Sequence, residues 1–389
     1  MTDVTTETAL SPETRVPTER GMPPRRGVTD ALDVVVRSIG PVVLALAAGA
    51  ILLLALGRDP IAFYSNVWKG GIQLTAWQDS AMRAAPLLLI AAGLTVVFRA
   101  NIWNLGYNGQ FLLGAALVSG LGPSLVGDTA RWTALVVLFL VAGAAGAAWT
   151  LVPALLKARY ETNEIITTLM MSFIGVGIAN ILIKGPFQDT SVNIPQTRVL
   201  PLDKMLPAIP GTRIHVGVLV AVAAVLIVHF VLTRTSFGLR LQVLGANPRA
   251  ARHMGVKVPR LIVMSFLVSG LLIGMAAATD ILGIWGYVRA NWNPAYGDTV
   301  IPFVFLARLN ALAVVPFVAF FAVLSTGGDL ATQQASLPTD FLLALVALIL
   351  LFMTVIEYLG RRRSLGASYL TPGLEQALRH SRRRRKTSR

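Results

Sequence analysis

Enzymatic chemistry needs a nucleophile with its base, a metal cage or a phosphate cradle, and this sequence brings none of these together. Its four histidines, His215, His229, His253 and His380, are scattered, and none stands in an HExxH or comparable ligand pattern. His229 lies in an apolar run and reads as a helix-packing or interface residue rather than a ligand. There is no cysteine, so disulfides and thiolate metal sites are out of reach. No GxxxxGKS or GxxxxGKT loop is present to hold nucleotide phosphates, and no GxSxG precedes a suitable acid and base. We therefore expect no catalytic residue, no metal and no cofactor.

What the chain concentrates instead is polar groups that bind without reacting. Asn104, Tyr107, Asn108 and Gln110 set amide donors and acceptors beside one aromatic face. Further along, Trp285, Tyr287, Asn291, Trp292 and Asp298 form a second group. Neutral amides beside aromatic planes suit a sugar or nucleobase better than a strongly charged solute; anchoring at a membrane interface explains the tryptophans equally well. A third concentration is charge. Residues 234–260 hold Arg234, Arg240, Arg249, Arg252, Lys257 and Arg260 and no acidic residue. Within them Asn247 before Pro248 has the form of an N-cap and first-turn proline, so a short helix carrying Ala250 and Ala251 is expected between Gly245 and Gly255. Such a helix can dock on a partner, or the segment can be a basic loop that only obeys a charge rule.

The elements that position these groups must be membrane helices. The 389 residues are 54% hydrophobic and 14% charged, with mean hydropathy +0.66, whereas a soluble domain averages about 25% charged residues. Apolar runs at 39–57, 132–152, 165–183, 214–232, 261–284 and 341–356 approach the roughly 20 residues that cross a hydrocarbon core as helix. They are solidly apolar, where barrel strands would alternate. The expected fold is all-α: a polytopic transmembrane helical bundle with about 8–10 membrane segments, interrupted helices included.

Two places interrupt the pattern. Short apolar pieces at 86–98 and 111–121 flank the polar stretch 99–110, and pieces at 299–306 and 312–324 flank Arg308, Leu309 and Asn310. Broken hydrophobic segments in corresponding positions point to a transport path, because unwound backbone survives in a bilayer only where protein or a wet cavity satisfies it. Ordinary tight turns between spans are the alternative. Residues 58–83 read as a polar excursion with interface anchors Tyr64, Trp68 and Trp77.

The net charge of +15 lies largely in 361–363 and 379–389, just after the last apolar run, and in 234–260. The positive-inside rule puts these stretches, and both termini, in the cytoplasm. No aromatic platform accompanies the tail, so nucleic acid is not expected as a partner. Residues 1–37 are polar, lack an early apolar stretch, and read as a disordered cytoplasmic leader rather than a cleavable signal. The division is then leader 1–37, transmembrane domain 38–358 in contact with membrane lipids, and basic cytoplasmic tail 359–389.

Four motifs in order carry a family resemblance. The stretch VFRANIWNLGYNGQ at 97–110, TNEIITTLMM at 162–171, TSFGLR through GANPRAARHMG at 235–255, and Arg308-Leu309-Asn310 resemble the ABC importer permeases for branched-chain amino acids, ribose-type sugars and nucleosides. The nucleoside and simple-sugar branch is the most similar, with Asp280 in DILG at the place of that branch's acidic residue. The resemblance implies a pore subunit in the bacterial inner membrane. It implies a cytoplasmic ATPase docked around Gly245, Asn247, Pro248, Ala250, Ala251 and Gly255, a second permease subunit, and an extracytoplasmic substrate-binding lipoprotein. A substrate pathway along Asn104, Tyr107, Asn108, Gln110 and Asp280 follows. The chain departs from the pattern at Tyr107, at Asn108 in place of a glutamate, and at Ser172 in place of an asparagine, which bears on the solute.

An ion-coupled secondary transporter and an integral membrane enzyme are the competing classes. A coupled carrier keeps ionisable groups near the midplane for its driving ion. The apolar runs offer almost none; Asp280 falls near the outer end of its span, as a helix-terminal carboxylate in water or a polar contact in an outward vestibule. This topology is testable: a reporter active only outside the cytoplasm should be silent when fused after Asn247 or Tyr358 and active when fused within 190–213. Activity at either of the first two points overturns the orientation.

Overall fold

The computed structural model describes residues 28–128, 130–338 and 341–364. Most of the leader and tail lie outside the described residues. The described chain is helical, without a strand: α1 (Val28–Ala55), α2 (Pro60–Gly71), α3 (Ala76–Arg99), α4 (Tyr107–Asp128), α5 (Arg131–Tyr160), α6 (Glu164–Lys184), α7 (Gly217–Arg234), α8 (Ser236–Ala246), α9 (Pro248–His253), α10 (Val258–Asp280) running into a π-turn at Ile281–Trp285, α11 (Tyr296–Leu306), α12 (Val315–Gln334) and α13 (Phe341–Ser364). Thus α1 begins inside the stretch read as leader, and α13 runs past residue 358.

Among the described residues six helices are long and apolar enough to cross a membrane: α3, α5, α6, α7, α10 with its π-turn, and α12. Ile39–Ala55, Tyr296–Leu306 and Phe341–Ile356 are shorter apolar helical stretches. Burial sorts these helices. The most apolar window of α3 is 83% buried, so α3 is the central post, whereas that of α5 is only 33% buried at a mean hydropathy of 2.3. Leu140, Leu151 and Leu155 of α5 and Phe173 and Ile181 of α6 are exposed. A continuous outer surface of this kind matches lipid, not water.

Three segments differ from their hydropathy. The apolar piece 86–98 is the inner part of α3, whose outer turns carry Gln78, Asp79, Ser80 and Arg83. These polar residues end the hydropathy signal without ending the helix: Ser80 Oγ donates to the Gly71 carbonyl at 2.7 Å, and Arg83 pairs with Asp329. The piece 312–324 likewise passes, from Val315 on, into the longer α12, which continues through Asp329. The excursion 58–83 is not loop: it contains α2, started by Asp59, whose side chain accepts from Ile61 N, and packed on α12. Of the four apolar pieces beside the two breaks, 299–306 alone lies in a helix that is itself short, the 11-residue α11.

The tightest seam joins α5 to α10. Gly143 and Gly146 of α5 face Gly270 and Gly274 of α10, and a Cβ at Gly146 or Gly274 would overlap the carbonyl of Gly270 or Ala142. In lipid no hydrophobic force drives helices together, so close backbone approach of small residues supplies the attraction.

At the other end from the basic segment, residues 185–216 fold over the π-turn. Thr197 N donates to Val288 O at 3.0 Å, Leu200 N to Gly286 O at 3.0 Å and Leu206 N to Leu282 O at 2.8 Å. His215 in this cover is buried against Gly217 and Gly283, and neither ring nitrogen has a hydrogen-bond partner among the described residues. Burial pushes its pKa down to about 4, so it is neutral at pH 7.

The α5–α10 seam predicts a sharp contrast between two glycines. Gly274→Val should lower the denaturation midpoint by the equivalent of about 1–3 kcal/mol, whereas Gly177→Ala, where a Cβ meets open space, should be neutral or slightly stabilising. Equal tolerance of both, measured on protein in detergent, would remove the seam from the account.

Candidate functional site: a broken helix pair and a basic segment

Between α3 and α4 the backbone unwinds over six residues, 101–106, starting at Asn101 with φ +56°. Asn104 holds this break together. It is fully buried, donates to Gln110 Oε1 at 3.2 Å and Ser269 Oγ at 3.0 Å, and accepts from Gln110 Nε2 at 2.9 Å and Gly106 N at 3.1 Å. Leu105 N donates to Thr168 Oγ1 at 3.1 Å, and Gly109 N to Ser172 Oγ at 3.2 Å. Thr168 and Asn104 thus take up the Leu105 and Gly106 N–H groups of the break, Ser172 accepts from the first turn of α4, and Gln110 and Ser269 hold the Asn104 side chain in place. Asn104 and Gln110 spend their amides on each other.

The next residues behave differently. Tyr107 donates its hydroxyl to Asp298 Oδ1, and Asn108 Nδ2 donates to Asp298 Oδ2 at 3.2 Å. Gly109 beside them lies on Ser172, two turns into α6 and so about 12 Å along its axis. At this depth Asp298 is exposed and Asn108 half-buried. Asp298 opens α11, where a carboxylate also gains from the helix dipole.

Asp280, the last residue of α10, is apart from this cluster and closed to water. It is fully buried and accepts long hydrogen bonds from the Tyr296 hydroxyl at 3.3 and 3.5 Å. Phe111 packs edge-on against Tyr296 with centroids 5.5 Å apart, and Trp292 bridges Phe111 and Trp285 at 6.2 and 5.9 Å.

The second break is more compact. Ala307 to Val314 form successive turns with Arg308 and Leu309 at positive φ, and Asn310 Oδ1 accepts from Leu312 N at 3.0 Å and meets His229 Nδ1 at 3.2 Å. The two breaks touch: Phe98 and Trp103 from the first stack with Phe305 at the second, at centroid distances of 5.2 and 5.5 Å.

On the same end lies the basic segment. Asn247 caps α9, accepting from Arg249 N at 2.9 Å and Ala250 N at 3.1 Å, and Gly255 at φ +76° follows it. Pro248, Arg249, Arg252 and His253 are exposed, Ala250 is half-buried, and Ala251 is fully buried in the chain's own interior. Arg252 pairs with Glu161 at the end of α5. Gly245 sits directly on the first break, where a Cβ would collide with the backbone of Arg99 and Ala100.

Hydropathy missed Arg83 and Asp329. They pair at 2.7 Å between α3 and α12, roughly four-tenths exposed, and Arg83 also donates to Ser325. Both lie beyond the ends of the apolar pieces, although a lone arginine three residues before Pro86 in an otherwise apolar context was a usable sign. Hydropathy also left Asp298 at the outer mouth, separate from Tyr107 and Asn108. Among the described residues no group of three or more histidines and carboxylates could hold a metal.

A lipid-faced bundle with an internal polar cluster at a helix break is the form of a membrane transport protein rather than of an enzyme. The family described as branched-chain amino acid transport system / permease component matches residues 77–354. The chain is 32% identical to a glucose ABC transporter permease protein of Haloferax volcanii, over 83% of this chain and 87% of the relative. It is 27% identical to a guanosine ABC transporter permease protein of Bacillus subtilis, over 80% and 90%. With a nucleoside ABC transporter permease protein of Lactococcus lactis subsp. cremoris it shares 23%, over 81% and 89%. The chain belongs to this ABC permease family. It is a multi-pass membrane subunit of an importer that works with separate ATPase and substrate-binding components.

The Asn104 network makes a quantitative prediction. Asn104→Leu should lower stability in detergent by about 1–3 kcal/mol, because Gln110 and the Gly106 N–H are left buried and unpaired. Adding Gln110→Leu should cost less than the sum of the two single changes. Strict additivity would mean the two amides do not act as a pair.

Proposed function

We propose that the chain lines the translocation path for a neutral polar solute, a nucleoside or simple sugar. The observation that carries this reading is the exposed Asp298 carboxylate with Tyr107 and Asn108, turns deep within the helices. A charged group left exposed there needs a wet path or a partner face. Tyr107 and Asn108 offer an aromatic plane and an amide; Asn104 and Gln110 brace the break behind them, and Asp280 stands at the outer side. Relatives named for glucose, guanosine and nucleoside transport support the solute class.

In the same proposal the chain sits in the bacterial inner membrane with both ends in the cytoplasm. It pairs with a second permease subunit, homologous or identical, and receives solute from an extracytoplasmic lipoprotein. The ATPase docks on the segment Gly245, Asn247, Pro248, Ala250, Ala251 and Gly255. There Pro248, Arg249 and half-buried Ala250 face the ATPase, while Ala251 anchors the short helix to its own chain. Motion of α9 reaches the break through Gly245, which has no slack against Arg99.

The test is uptake by the reconstituted complex. The chain alone should neither hydrolyse ATP nor transport, and Ala250→Trp should abolish uptake and ATPase co-purification at normal membrane levels. Arg249→Gln should be milder, since an exposed cationic contact contributes about 1 kcal/mol or less. Full uptake and ATPase binding by Ala250→Trp refutes the docking site. Uptake driven by an ion gradient with this chain alone refutes the assignment as a whole.

A further inference from the structure

Beside the proposed docking helix, on its membrane side, lies a cleft of about 510 Å³ lined by Ser236, Phe237, Arg240, Lys257, Arg260 and Met264 among others. It forms where α8 begins and α10 enters the bundle. Three cations surround it, and no acidic residue occurs anywhere in 234–260. Arg252 and Lys157 nearby are paired with Glu161 and Glu164. Arg240, Lys257 and Arg260, in contrast, make no ion pair or side-chain hydrogen bond among the described residues, and all three are exposed. Two guanidinium forks and an ammonium therefore converge with their donors unspent.

The floor of the cleft decides what fits. Met264 is six residues beyond Val258, about 9 Å deeper along α10, and it is 45% exposed on the outside of the bundle. One heptad further, Leu271 is 41% exposed on the same face. Cations at the rim thus pass with depth into an apolar strip that faces lipid. A positive-inside bias explains the charges but not their convergence on a cleft with an apolar floor. An acidic stretch of the ATPase would match the rim but not the apolar strip of Met264 and Leu271 beneath it.

We propose that this cleft binds the headgroup phosphate of an anionic phospholipid, with an acyl chain lying along Met264 and Leu271. Basic pockets beside membrane helices on the cytoplasmic side are suited to such headgroups. The proposal is independent of the solute; the cleft borders the proposed ATPase contact at Gly255, which belongs to both.

Native mass spectrometry of the full chain in detergent tests it, using phosphatidylglycerol, phosphatidylcholine and inorganic phosphate as probes. The wild type should retain one phosphatidylglycerol in preference to phosphatidylcholine, and inorganic phosphate should not displace it. R240Q/R260Q should lower that retention by about tenfold or more, while Arg234, Arg249, Arg252 and Lys257 remain to hold the orientation. M264W, which fills the floor without changing charge, should lower it as well. Equal retention by wild type and R240Q/R260Q overturns the site, as does equal retention of the two lipids by the wild type. Displacement by inorganic phosphate, or unchanged retention by M264W, removes the acyl chain and with it the lipid. Loss of ATPase binding in R240Q/R260Q with lipid retention unchanged assigns the cations to the ATPase instead.

Discussion

Everything near the centre of this molecule answers to one constraint: backbone that leaves the helix inside a bilayer must still have its hydrogen bonds. A buried amide or carbonyl without a partner costs several kcal/mol in hydrocarbon, and the break 101–106 exposes several at once. Asn104 accepts from the Gly106 N–H and is itself held by two hydrogen bonds with Gln110 and one to Ser269. Thr168 and Ser172 of α6 supply two more acceptors. Three helices must therefore keep their register around one turn of unwound chain. The close α5–α10 seam helps to hold one of them, α10, in place.

This satisfaction separates two kinds of polar residue that look alike in sequence. Asn104 and Gln110 face each other and are fully buried; Asn108, two residues past the same break, is half-buried, and its partner Asp298 is exposed. A solute can only be met by the second kind unless the break itself rearranges. The short α11 explains why the open pair exists. Because the chain enters it through the irregular stretch after the π-turn, its first turn begins within the bundle, and Asp298 arrives beside Tyr107 rather than at the surface.

Much of the fold was legible in the sequence because hydropathy reports lipid contact directly. The long spans and the short helix started by Asn247 and Pro248 follow from local patterns; the contact between the two breaks, made by Phe98, Trp103 and Phe305, does not. Where the reading fell short, the cause was consistent. Arg83 and Asp329 lie in helices but beside each other, so each cancels the charge that made its own segment look extramembrane. Hydropathy scores residues singly and cannot credit a partner more than two hundred positions away. The same blindness hid the Tyr107–Asp298 contact, and it left Asp280 undecided between water and interior. Burial among Tyr296, Phe111 and the tryptophans is a tertiary fact.

The arrangement also bears on how a stroke at one face could alter binding at depth. A helix of six residues has little stiffness of its own, so α9 is useful only if both its ends are fixed. One end is fixed by Asn247 and by α8, whose Gly245 rests on the carbonyl side of Arg99 without room for a methyl group. The other is held by buried Ala251 and by Arg252 on Glu161. Displacing α9 thus presses on two places: the start of the unwound break and the α5–α6 turn, where Lys157 and Glu164 also pair. These are the two ends of the scaffold that holds Asn104, Thr168 and Ser172. In the proposed coupling, a shift that breaks one bond of that network leaves a buried group unpaired, which disfavours intermediate positions of the break. Any change of access at Tyr107, Asn108 and Asp298 would then be a switch between satisfied networks rather than a gradual widening.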